Sequence, residues 1–123
     1  MEIQTEEAVV KLILHGGNVR KEAYTAIDAA ENYQFKDAEH HLHLAEEEFK
    51  KGHVWQTKLV ALRQEQVHPN APSFLLIHGQ DHIMTAQAEL NLAKRIIHQY
   101  QVQAELEERI SALEYQQNSQ KKS

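Results

Sequence analysis

From Phe74 to Tyr100 the chain reads FLLIHGQDHIMTAQAELNLAKRIIHQY. Leu76, Gly79, Ile83, Ala86, Leu90, Ala93, Ile97 and Tyr100 recur at alternating steps of three and four, which keeps their side chains on one face of an α-helix. A second stripe, Ile77, Asp81, Met84 and Ala88, continues loosely through Leu92 and Ile96. One stripe suffices to pack a helix onto two partners in its own bundle, so the second asks for another surface to cover it. Self-association through this helix is the expectation, with the Asp81 stripe facing the other copies.

Upstream, the same spacing appears at Val9, Leu12, Gly16, Val19, Ala23, Ala26 and Ala30, and again at Ala38, Leu42, Ala45, Phe49, Gly52, Gln56 and Leu59. These stripes predict a first helix from about Thr5, as N-cap, to about Glu31, bent at Gly16-Gly17, and a second from about Gln34 to about Gln66. The link through Asn32 and Tyr33 is short, so the two should be antiparallel neighbours. Both prolines, Pro69 and Pro72, fall in one stretch and break the helical pattern before a third helix that begins near Ser73. Val102, Leu106, Ile110 and Leu113 extend that helix to about Gln116, roughly 60 Å in all. Residues 1–116 are read as one all-α domain and 117–123 as a polar, disordered tail.

The 123 residues carry a formal charge of −5 with no basic cluster, which argues against nucleic acid or an anionic membrane as the main partner. Absence of cysteine excludes disulfides and thiolate metal sites and fits a reducing compartment. The acidic N-terminal stretch Met1 to Glu7 does not read as a signal peptide. Apolar runs of three or four residues fall far short of the roughly 20 needed to span a bilayer, and a cytoplasmic protein is expected.

An ionised carboxylate removed from water costs several kcal/mol unless it meets a cation or hydrogen-bond donors. No lysine or arginine lies between Arg63 and Lys94, so Asp81 needs a partner from another helix, another copy or a bound ion. Copies of Asp81 brought together at a symmetry axis would repel unless they shared a proton or a cation.

Of the nine histidines, His40, His41 and His43 lie beside Glu46-Glu47-Glu48 and read as a solvated face, while His15, His68 and His98 belong to no recognisable constellation. His53, with Gln56 and Thr57, lies on or beside the second helix's seam. His78 and His82 are four apart and share a face with Thr85 and Glu89. They admit three readings: interface residues with satisfied hydrogen bonds; two ligands of a zinc site, for which no third ligand is evident; or a nucleophilic imidazole that accepts a phosphoryl group. A neutral imidazole nitrogen attacks phosphorus near pH 7 without prior deprotonation, and the P–N bond stays labile enough to pass the group on.

The stretch Leu75 to Ala86, LLIHGQDHIMTA, resembles a pattern close to LLVHAQDHLMT found in the IIA component of the lactose/cellobiose family of the bacterial phosphoenolpyruvate-dependent sugar phosphotransferase system (PTS). His15-Gly16-Gly17-Asn18-Val19-Arg20 and His53-Val54-Trp55-Gln56-Thr57-Lys58-Leu59 match in order and spacing, so the resemblance covers about residues 6 to 105. It implies an antiparallel three-helix up-down-up bundle that assembles as a homotrimer through the third helix. It implies that His78 takes phosphate from the carrier protein HPr as a tele-phosphohistidine and gives it to a cysteine of the cognate IIB component. It further implies that Asp81 from each copy meets at the trimer axis around a divalent metal, expected to be magnesium. His82, Gln80 and Gln56 are assigned supporting roles, orienting the imidazole or donating to phosphate oxygens. Departures from the pattern are Gly79 in place of alanine, the segment Glu65 to Ser73, and the longer tail beyond about residue 105. The alternative of another class is a helical adaptor or metal-binding bundle using His78, Asp81 and His82.

Overall fold

The computed structural model describes residues 2–65 and 74–122, so Pro69, Pro72, His68 and the expected helix break around them lie outside the described residues. The described residues form three helices, α1 (Glu2–Glu31), α2 (Phe35–Glu65) and α3 (Phe74–Lys122), and no strand. Their length is in keeping with the Ala, Glu, Gln, Leu and Lys content of the chain. α1 begins at Glu2, ahead of the N-cap expected at Thr5, and α3 continues through Lys122 where a disordered tail from residue 117 was expected.

The periodic stripes become the core. Val9, Leu12, Val19, Ala23, Ala26 and Ala30 of α1 are buried, as are Ile83, Ala86, Leu90, Ala93 and Ile97 of α3 and Ala38, Ala45 and Leu59 of α2. Leu12, Leu59 and Ile83 form a cluster flanked by Phe49, Trp55 and Leu76. A second cluster joins Val19, Ala23, Ala45, Ala86, Leu90 and Ala93, and a third joins Ala26, Ala30, Ala38 and Ile97 beside Tyr100. The many alanines let helix axes come close. α1 packs on both other helices, which touch each other little.

Gly16-Gly17 does not interrupt α1. Gly16 serves a close approach instead: a Cβ there would stand 3.0 Å from the His82 carbonyl oxygen. Gly79 works the same way from α3, since its Cβ would lie 3.1 Å from Val9 Cγ1. α1 ends with Tyr33 in the left-handed region (φ 58), where the Tyr33 and Gln34 amides donate to the Ala30 and Ala29 carbonyls at 3.0 Å each. That is a Schellman closure, and it reverses the chain in three residues without glycine.

Candidate functional site

The two glycine contacts bring α1 against α3 where His78, His82, Thr85 and Glu89 share one helical face. His78 is exposed and His82 half-buried. Their rings meet edge to face, with centroids 4.5 Å apart and Nε2 3.1 Å from Nε2. Phe74, one turn earlier, lies nearly parallel to the His78 ring at 6.1 Å.

Arg20, one turn beyond Gly16 on α1, reaches into this face. Its Nε donates to Glu89 Oε2 at 2.9 Å, Nη2 donates to Thr85 Oγ1 and, at 3.4 Å, to the His82 carbonyl, and Nη1 lies 3.4 Å from His82 Nδ1. A guanidinium only donates, so His82 Nδ1 must accept and its proton sits on Nε2. That N–H has His78 Nε2 before it, which must then accept through its lone pair. Burial foremost, with the nearby His78 and Arg20 charges, pushes the His82 imidazole below its ordinary 6.5, against a smaller pull from Asp81. His82 is thereby kept in the neutral form that this donor chain requires. Arg20 is the residue of this face that sequence reasoning missed, although it closes the His15-to-Arg20 motif.

The rest of that motif is structural. His15 Nδ1 lies 2.8 Å from Glu48 Oε2, to which Asn18 also donates at 3.1 Å. Burial works to raise the Glu48 pKa, but hydrogen bonds from His15, Asn18 and Lys51 hold it below its ordinary value. His40 and His43 are exposed as expected, whereas His41 bridges to Glu22 of α1 at 2.6 Å.

The structure does not bring Gln80 or Gln56 to His78 within one chain. Residues two apart on a helix do not share a face, and Gln56 Nε2 donates to Gln80 Oε1 at 2.9 Å and to Met84 Sδ at 3.3 Å on the α2 flank of α3. His53 joins Gln56 at 3.3 Å beside a shallow cleft also lined by Thr57 and Val60. Asp81 is exposed, between the His78 face and the stripe of Ile77 and Met84. Among the described residues, no three His, Cys, Asp or Glu side chains of one chain form a metal cage.

Residues 7–101 match the family described as PTS system, Lactose/Cellobiose specific IIA subunit. The chain belongs to this family. The IIA chain is 35% identical over 101 residues to the lichenan-specific phosphotransferase enzyme IIA component of Bacillus subtilis, covering 82% of this chain and 91% of that protein. It is 33% identical to the galactose-specific EIIA component of Lactococcus lactis subsp. cremoris, covering 86% of this chain and 84% of the relative. Its fold is similar to the cellobiose-specific enzyme IIA of Bacillus anthracis, with TM-score 0.74, 32% identity and coverage of 81% and 91% of the two chains. It is also similar to the chitobiose IIA in the IIA–HPr complex of Escherichia coli, with TM-score 0.69, 26% identity and coverage of 81% and 96%. This IIA is therefore a phosphotransferase component, a phosphoryl carrier of a sugar PTS. No helix among its described residues is long and apolar enough to cross a membrane.

Proposed function

We propose that His78 Nε2 is the phosphoryl acceptor, that phospho-HPr is the donor and that a cysteine of a IIB component receives the group, all in the cytoplasm. The observation that carries the assignment is the 3.1 Å contact between the two Nε2 atoms with Arg20 at the far nitrogen of His82. It leaves an in-plane lone pair on an exposed imidazole nitrogen. As the donor's P–N bond breaks, its electron pair returns to the donor imidazole and the His78 Nε2 lone pair forms the new P–N bond. The His82 N–H, released from that lone pair, turns to a phosphoryl oxygen. Onward transfer reverses the step: a thiolate sulfur attacks phosphorus, and the electron pair returns to Nε2. Little else is needed, because such transfers depend on in-line positioning and charge stabilisation. Phe74 and Leu75, 83% and 48% exposed, provide the apolar surface on which both partners dock.

The arrangement we infer is an up-down-up bundle assembled as a homotrimer through α3. Contacts Val9 with Gly79, Arg20 with Glu89 and Tyr33 with Gln103 run in the same order along α1 and α3, whereas His15–Glu48 and Glu22–His41 run in opposite order along α1 and α2. Assembly is supported by the exposed outer stripe, where Ile77, Met84 and Leu92 are 52%, 50% and 58% accessible. It is supported too by an accessible area of 8727 Å², against about 6,800 Å² for a compact chain of this mass. Asp81 offers the hard oxygen that Mg²⁺ favours, and three copies would hold one ion that neutralises their mutual repulsion. In a ring closed around this stripe, the Gln56–Gln80 flank of one copy faces the His78 flank of the next, where both glutamines could donate to phosphate oxygens.

Incubation with phosphoenolpyruvate, enzyme I and HPr should add one acid-labile phosphate per chain by intact mass, and His78→Ala should take up none. Labelling of the variant would overturn the assignment.

A further inference from the structure

The family match ends at residue 101, yet α3 runs on to Lys122. From Glu105 to Lys121 every side chain is exposed. Near its start this end of α3 meets the bundle, where Gln103 Nε2 donates to Tyr33 Oη at 2.9 Å. The stretch of α3 beyond Ala104 is about 27 Å long, and a helix so exposed is marginal in water without a partner.

The extension carries an apolar seam. Leu92, Ile96, Leu106, Ile110 and Leu113 are 58%, 40%, 48%, 53% and 61% exposed. With Gln99 and Gln103 between them they follow alternating steps of four and three, the heptad spacing of a coiled coil. Leu106 and Leu113 take d positions, Ile96, Gln103 and Ile110 take a positions, Glu107 and Glu114 fall at e and Arg109 at g. A parallel neighbour sets g of one heptad against e of the next, placing Arg109 opposite Glu114. An antiparallel neighbour instead sets e against e and opposes glutamates. The inner stripe of α3 stops at the end of the bundle, whereas the outer stripe of Ile77, Asp81, Met84 and Ala88 leads into this seam through a shift of register at Leu92.

We propose that the end of α3 beyond Ala104 is a self-recognition stalk, a parallel in-register coiled coil with the same segment of other copies of this chain. Ile at a and Leu at d favour two strands when taken alone. The glutamine at the a position Gln117 dilutes that preference, so strand number follows the bundles beneath, and on this point the stalk rests on the proposed trimer. Three apolar layers give little free-standing affinity. Copies already joined through α3 meet at high effective concentration, which is enough to zip them.

The chain has no cysteine, so Leu113→Cys introduces the sole thiol. Mild oxidation of the purified full-length variant should yield covalent dimer at least tenfold faster than Glu108→Cys, which points away from the seam. Met84→Cys, oxidised in parallel, reports assembly through the outer stripe of the bundle. Crosslinking at 84 with none at 113 overturns the stalk and leaves the trimer standing; crosslinking at 113 with none at 84 supports the stalk and overturns the trimer; absence of both overturns both. Equal rates at 108 and 113 would mean that the segment has no fixed face and would also overturn the stalk.

Discussion

In the proposed transfer, the His82 Nε2 proton selects the nucleophilic nitrogen of His78, and the Arg20 contact with His82 Nδ1 sets where that proton sits. Arg20→Met removes the donor to His82 Nδ1 and should slow phosphate uptake by at least tenfold, while ¹⁵N imidazole shifts show His78 and His82 redistributing between tautomers. Stability should fall by less than about 1 kcal/mol, because the Arg20–Glu89 pair is partly solvated. The lowered His82 pKa sets a pH window. Its neutral form is favoured in the folded protein, so the unfolded chain binds the proton first. Stability contributed at this site is intact above the ordinary 6.5 and declines as pH falls below it. The part of the uptake profile that belongs to His82 should fall at a lower pH than for an ordinary imidazole, and in Arg20→Met, with one of the lowering charges gone, it should move to higher pH. A rate profile against pH for both proteins checks the order. None of this chain of donors could be read from sequence, because Arg20 and His82 are separated by 62 positions and only folding makes them neighbours.

At the scale of the helix, the two glycines of Gly16-Gly17 have opposite consequences. A Cβ on Gly17 meets nothing within 4 Å, so Gly17→Ala should stabilise by about 0.5–1 kcal/mol. Gly16→Ala presses on the His82 backbone and should cost about 1–3 kcal/mol, with a loss of transfer rate as Arg20 is pushed from the site; thermal unfolding beside a transfer assay separates the two. The inner stripes were legible because burial follows the helical repeat, residue for residue from Val9 to Ala30 and from Ile83 to Ile97. Helix ends were less so. Thr5 has the chemistry of a cap, yet α1 starts before it, and the polar composition of residues 117–122 concealed helix. Gln80 and Gln56 read as supporting residues of His78 from the family likeness; within one chain the i to i+2 geometry turns Gln80 to the other flank, where Gln56 of α2 donates to it.

For the whole molecule, the outer stripe predicts an assembly governed by Asp81. Chelation or acid should weaken it, and Asp81→Leu, which removes the repulsion, should stay assembled without metal; sedimentation with and without EDTA tests both. A chain that remains monomeric at every concentration would remove the account of the outer stripe. What sequence could not convey at this scale is the sugar, since relatives of similar identity are named for lichenan and for galactose.

The length of α3 has a practical consequence. Leu113 stands thirty-five positions beyond His78, which on a straight helix is about 53 Å. Val9 packs beside Gly79, so the first turns of α1 share the pole where the proposed donor and acceptor would alternate. The carboxyl end is the remote pole. A fluorophore, a bead or a fused domain fastened there would leave the reactive imidazole as open to its visitors as in the free protein, whereas the same cargo at the amino end would stand in their way.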